Sequence, residues 1–194
     1  MFVTLHQDRH IQVLDKPVGI DVVPARSGGP SIEATTGLLV CHRLDRETSG
    51  CLVMARTLEG QRTVSQAFAE GRVHKEYLAV VVGHLPSTGE IDLPIGEWKR
   101  GRVQIGTGRP ARTRFEVRWR ANGRAGIVAT PLTGRTHQIR AHLASRNAPL
   151  LGDPTYGGPE ADRLYLHAWR VRLPESVLGP EIWVESPIPP GFEP

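Results

Sequence analysis

The chain has 194 residues, a length suited to one domain that buries about 70% of its unfolded surface on folding. Its composition is that of an ordinary globular protein, and no apolar run approaches the roughly 18 residues a helical membrane span needs, which excludes a membrane protein. The formal net charge of +4 is unevenly spread: residues 99–146 hold twelve basic side chains against a single acid, Glu116, so this segment carries +11 and the remainder −7, an imbalance that predicts a polyanionic partner such as nucleic acid.

In chain order, residues 1–9 include His6, Asp8 and Arg9 and lack the unbroken apolar core of a signal peptide, so a cytoplasmic protein is expected. Residues 11–14 and 20–23 are short apolar runs on either side of Asp15-Lys16-Pro17-Val18-Gly19, which predicts an opening hairpin. Residues 24–30 read as a loop, after which Ser31 caps a short helix ending at Leu38 or Leu39. Cys41 and Cys51 flank a polar loop and read as small half-buried thiols, neither a disulfide nor part of a zinc motif. Residues 51–55 form a compact apolar strand. Thr57 then caps a helix that runs to Glu70 and is closed by Gly71, with Leu58, Val64, Ala67 and Phe68 toward the core. Residues 75–83, rich in β-formers, predict a buried strand. Two strands are expected within residues 101–120 around a turn at 106–110; the second alternates Phe115, Val117 and Trp119 with Glu116, Arg118 and Arg120. A strand over 126–131 precedes a helix over 137–145 capped by Thr136, in which Ile139 and Leu143 share a side and Arg140 projects from a neighbouring one. Residues 164–173 predict a further strand, and the proline-rich residues 187–194 an extended surface tail. Several strands with about three helices, and no regular βα alternation, imply an α+β fold: one domain over residues 1–186 built on a mixed, largely antiparallel sheet.

Familiar chemical constellations are mostly missing. His137 and His142 are five residues apart, so on a helix they point about 140° away from each other, unlike the i, i+4 pair that binds zinc; no metal site is expected. Gly106-Thr107-Gly108 lacks the lysine and hydroxyl of a phosphate cradle, and Thr48-Ser49-Gly50 lacks the first glycine of a nucleophile elbow. What remains is Asp45, between Arg43 and Arg46 in a polar loop. Taken alone it reads as readily as a turn residue or a local partner of arginine as it does a catalyst.

The stretch His42-Arg43-Leu44-Asp45-Arg46-Glu47-Thr48-Ser49-Gly50 resembles the signature loop of the RluA-type family of pseudouridine synthases. Four more stretches resemble that family's motifs in the expected order: Leu14-Asp15-Lys16-Pro17-Val18-Gly19, Lys75-Glu76-Tyr77-Leu78-Ala79-Val80-Val81-Val82-Gly83, the segment from Thr133-Gly134-Arg135-Thr136-His137 on through Gln138-Ile139-Arg140-Ala141-His142-Leu143, and Gly152-Asp153-Pro154-Thr155-Tyr156-Gly157. The resemblance spans residues 11–173 and implies an enzyme that isomerises uridines in ribosomal or transfer RNA. It makes Asp45 the catalytic carboxylate, Tyr77 the aromatic residue beside the target base and Arg140 the ionic partner of Asp45. It also implies that Arg43 fills the space left by the extruded uridine, that Leu166 packs on the base, and that His42 belongs to the substrate-binding set. The chain begins almost at the first motif, so an accessory N-terminal RNA-binding domain is not expected. The chemistry calls for no metal or organic cofactor, and the protein is expected to be a monomer. The alternative is a non-catalytic RNA-binding module on the same fold; an acid near RNA is of no use to it.

Overall fold

The computed structural model describes residues 2–25, 28–99 and 101–193. Arg26 and Ser27 of the predicted loop, Arg100 of the basic segment and the terminal Met1 and Pro194 lie outside the described residues. The elements run β1 (Val3–Gln7), β2 (Ile11–Lys16), α1 (Ile32–Thr36), β3 (Leu39–Val40), β4 (Ser49–Ala55), α2 (Leu58–Ala69), β5 (His74–Val82), β6 (Thr88–Asp92), β7 (Ile95–Lys99), β8 (Arg102–Ile105), β9 (Arg112–Ala121), β10 (Arg124–Pro131), α3 (Gln138–Ala144), a 3₁₀ turn at Pro154–Tyr156, β11 (Leu166–Leu173), α4 (Glu175–Leu178) and β12 (Ile182–Glu185). The registered strand pairs are antiparallel, and a parallel bridge joins Asp21 and Ser31. The α+β class with a largely antiparallel sheet is as the sequence predicts.

Two compact units make up the chain, one of Met1–Lys75 with Ala168–Pro187 and one of Glu76–His167 with Ile188–Pro194. In the first, β1, β2, β4 and β11 follow one another, with β3 on β4 and β12 on β11. Its core joins Ile11, Val13, Val53 and Ala55 of the strands to Val64 and Ala67 of α2. The predicted opening hairpin is not formed: β2 pairs with β1 and β4 instead. The Asp8 carboxylate closes the β1–β2 turn by accepting from His10 N at 2.7 Å and Ile11 N at 2.8 Å. The carbonyls of Asp21 and Val22 are taken by the N–H groups of Ile32 and Glu33, which have no partner within α1 itself. Ser31 caps α1 as predicted, its side chain accepting from Ala34 N, but the left-handed Gly37 ends the helix earlier than expected. Thr57 likewise caps α2. Leu58, expected in the core, is 62% exposed; the packed face is Gly60, Val64 and Ala67, spaced i, i+4, i+7.

In the second unit β5, β10, β9 and β6 lie in that order, and β7 and β8 form a separate hairpin. The core gathers Ala79 and Val81 of β5, Ile127 and Ala129 of β10, Phe115 of β9 and Ile139 and Leu143 of α3. The expectation that β8 and β9 would pair around residues 106–110 fails because β6 and β10 occupy both edges of β9, which leaves β8 to fold onto β7. Thr136 does not cap α3. His137, left-handed at φ 51, occupies the cap position without a side-chain bond, and the Gln138 amide oxygen accepts Arg135 N at 3.0 Å and Thr133 Oγ1 at 2.7 Å. Residues 187–193 form no helix or strand and are mostly exposed, as expected of a surface tail, but Phe192 anchors them: it is 4% exposed, its carbonyl accepting Trp119 Nε1 at 2.9 Å and its ring 5.3 Å from that of Tyr165.

Candidate active site

The loop carrying Asp45 is built from the first unit and held at three points. Beneath it, Lys16 is fully buried and donates to Pro17 O at 2.8 Å and Arg46 O at 2.9 Å, while Gly19 N donates to Arg46 O at 2.9 Å. A buried ammonium must have its donors satisfied. Lys16 therefore ties the Leu14–Gly19 motif to the loop whose backbone it bonds. On the other flank His42 stacks on Phe68, ring centroids 4.1 Å apart and planes at 18°, and its Nε2 accepts Val53 N at 2.9 Å. Burial, with Lys75 nearby, pushes the His42 pKa down to about 3, so the ring is neutral with its proton on Nδ1. His42 is thus committed to supporting the loop. Burial also pushes Lys75 down to about 8.

The third point is Gly50, at φ +105, where a Cβ would collide with Ala168 O; only glycine fits this approach of β4 to its neighbour. Between these points Thr48 N closes a turn onto Asp45 O at 3.0 Å. Asp45 is half-buried, Arg43 exposed, and Thr48 and Ser49 buried behind them. Cys41 and Cys51 are free thiols, as predicted, but buried rather than half-buried, with burial pushing both up to about 12.

The second unit holds Tyr77, Arg140 and Leu166. Tyr77, half-buried on β5 opposite Ala129 of β10, packs against a core cluster that includes Leu166 and Ile139. Arg140 follows Ile139 and is buried, making two parallel bonds to Asp153: Nε to Oδ2 and Nη2 to Oδ1, each 2.8 Å. Asp153 is wholly inaccessible. Arg140 Nη1 lies 3.0 Å from His137 Nε2 and His137 Nδ1 lies 3.2 Å from Tyr156 Oη. Because guanidinium nitrogens only donate, His137 Nε2 accepts and Nδ1 carries the proton toward Tyr156, whose hydroxyl also accepts Val103 N at 3.1 Å. The arginine plane sits 5.3 Å from the Tyr156 ring. Asp153, His137 and Tyr156 are thus the supports of Arg140. Asp153 and Tyr156 belong to a motif quoted from the sequence, but their function as a brace becomes visible only once the 3₁₀ turn packs on α3. His142 has a separate task, bridging Thr113 Oγ1 and Leu93 O at 2.9 Å each.

The basic segment divides in two. Arg112 and Arg114 of β9 face Asp92 and Glu90 across the pairing with β6, with contacts of 2.9 and 2.7 Å, and Arg118 meets Glu116 at 3.1 Å. Lys99, Arg102 and Arg109 are exposed and carry no carboxylate partner among the described residues. The excess seen along the chain is thus partly offset by acids from β6, and part of the surplus lies on the β7–β8 hairpin and the residues that follow it.

Comparisons with known proteins agree with the motifs. The family model described as RNA pseudouridylate synthase matches residues 10–145. The dual-specificity RNA pseudouridine synthase RluA of Escherichia coli (strain K12) is 37% identical over 202 residues, covering 95% of this chain and 92% of that protein. The ribosomal large subunit pseudouridine synthase D of Xanthomonas campestris is 36% identical over 217 residues, and there the chain spans 65% of the relative's length. Among solved structures, human RNA pseudouridylate synthase domain containing 1 superposes with a TM-score of 0.82 at 26% identity, covering 97% of this chain and 84% of that one. The chain belongs to the RNA pseudouridylate synthase family.

Proposed function

We propose that this protein isomerises specific uridines of ribosomal or transfer RNA to pseudouridine, as a monomer in the cytoplasm. The observation that carries the reading is the family match across the Asp45 loop, in a chain where that loop is pinned by Lys16, His42 and Gly50 and leaves a carboxylate half-open to solvent. The reaction breaks the bond from ribose C1′ to uracil N1 and forms one from C1′ to C5; C5 gives up a proton and N1 ends protonated, so no oxidant or further group is consumed. A carboxylate suits this step because it can attack as a nucleophile or support positive charge developing on the sugar.

In this scheme Asp45 is the catalytic group, Tyr77 stacks beside the uracil and Leu166 packs on it. Arg140 is the ionic partner that the family resemblance implies for Asp45. Extruding the uridine costs a few kcal/mol of stacking, which Arg43 offsets by entering the vacated space. His42 acts through the loop it supports.

Asp45→Asn tests the scheme directly. Tritium release from 5-labelled uridine RNA is expected to fall about 10⁴-fold or more, the scale of losing a catalytic nucleophile, while RNA affinity stays close to wild type. Undiminished release from the variant would remove Asp45 from the chemistry.

A further inference from the structure

Trp98 is 54% exposed near the end of β7. It lies directly across from Val103 of β8, which is buried in the small cluster formed with Ile95, Ala111 and Ala141. Opposed residues of an antiparallel pair project to one face, so Trp98 stands on the side of the hairpin that packs toward α3. Its ring meets His137 edge-on, centroids 4.8 Å apart and planes at 87°. His137 is the residue bonded to Arg140, which places this large, half-open aromatic surface beside the braced arginine.

The surroundings indicate what would cover it. Lys99, Arg102 and Arg109 are exposed and lack carboxylate partners among the described residues, with Glu97 the acid of the hairpin; Lys99 and Arg102 oppose each other one step beyond the Trp98–Val103 pair, so they leave the hairpin end from the face opposite the ring. Arg109 also lies close enough to Arg135 to help lower that residue's pKa, after burial. The other exposed tryptophan, Trp183, differs: Arg170 lies near its ring but is bonded to Glu185, and Arg172 to Glu181. Exposed aromatics occur singly on many surfaces. An aromatic face among uncommitted cations is the combination that binds unpaired nucleic acid, the ring stacking a base and the cations taking the adjoining phosphates.

We infer that Trp98 is a stacking platform for an unpaired base of the substrate RNA next to the target uridine, with Arg109 contacting one flanking phosphate and Lys99 and Arg102 taking the strand as it passes around the hairpin end. The inference rests on reading the chain as an RNA-modifying enzyme. Trp98 is a determinant of which RNA is accepted, distinct from the groups that act on the uracil.

The test is to titrate wild-type, Trp98→Ala and Trp98→Phe proteins with an RNA stem-loop bearing unpaired bases and with a fully paired duplex, following affinity, tryptophan emission and product formation. Loss of one base stack predicts roughly 5- to 100-fold weaker binding of the stem-loop by Trp98→Ala. The loss should appear in KM rather than kcat and be largely recovered in Trp98→Phe. Quenching of emission by the stem-loop should shrink in Trp98→Phe, which lacks the reporting indole, and the duplex should quench wild type less. Wild-type affinity in Trp98→Ala, equal quenching in wild type and Trp98→Phe, or equal quenching by duplex and stem-loop would each overturn the platform. Wild-type protein that is quenched by the stem-loop yet forms no pseudouridine in any RNA would sink the proposed activity and leave the platform standing.

Discussion

Asp153→Asn isolates the brace behind Arg140. The Arg140 and Asp153 side chains are only 9% and 0% exposed and meet through two bonds of 2.8 Å. Neutralising the carboxylate removes the bidentate partner of a buried guanidinium, and breaking a buried pair costs about 3–5 kcal/mol. At about 2–4 °C per kcal/mol for a chain of this size, Tm should fall by about 6–20 °C. Asp92→Asn is the internal control: the Arg112–Asp92 pair has side chains 47% and 57% exposed, and such surface pairs contribute at most about 1 kcal/mol. Thermal unfolding followed by circular dichroism, with urea titration as a check, measures both. Replacing both partners, Arg140→Met with Asp153→Leu, removes both buried charges of the pair and should recover much of the stability while activity stays lost, which separates the structural cost from the catalytic one. If Asp153→Asn melts within a degree or two of Asp92→Asn, the buried pair is not holding the arginine and the reasoning fails.

Acid should destabilise the protein through His42. Its pKa of about 3 lies below the ordinary 6.5, so below pH 6.5 the unfolded chain takes up a proton that the folded one refuses. Stability is therefore intact above about pH 6.5 and declines by at most about 1.4 kcal/mol per pH unit as pH falls toward 3. Urea midpoints measured across this range should show a shallower acid limb in His42→Asn, and parallel limbs would refute the assignment. Gly50→Ala should cost more than about 1 kcal/mol, because the residue is both left-handed and pressed on Ala168 O; a denaturation curve superposable on wild type would count against it.

Local signals were readable wherever the chain acts on itself. The hydroxyl caps Ser31 and Thr57 bond N–H groups three residues ahead, and a run such as 75–83 declares a buried strand by composition. The five motifs likewise indicated the family and singled out Asp45, Tyr77 and Arg140 as candidates. The strands β1, β6, β7 and β12 and helix α4 were not foreseen, since they are short and take their stability from neighbours remote in sequence. The anchor of the surface tail escaped for the same reason: Phe192 packs with Trp119 and Tyr165, residues 73 and 27 positions earlier.

Charge shows the division most clearly. The sequence by itself determined the α+β class, the signature loop and a basic segment of +11. Only the tertiary structure decided that Glu90 and Asp92 neutralise part of that segment, that Lys16 and His42 hold the Asp45 loop, and that Asp153, His137 and Tyr156 brace Arg140. Propensity, capping and motif spacing act over a few residues and can be read along the chain. Ion pairing and burial depend on distances across strands, and those exist only once the chain has folded.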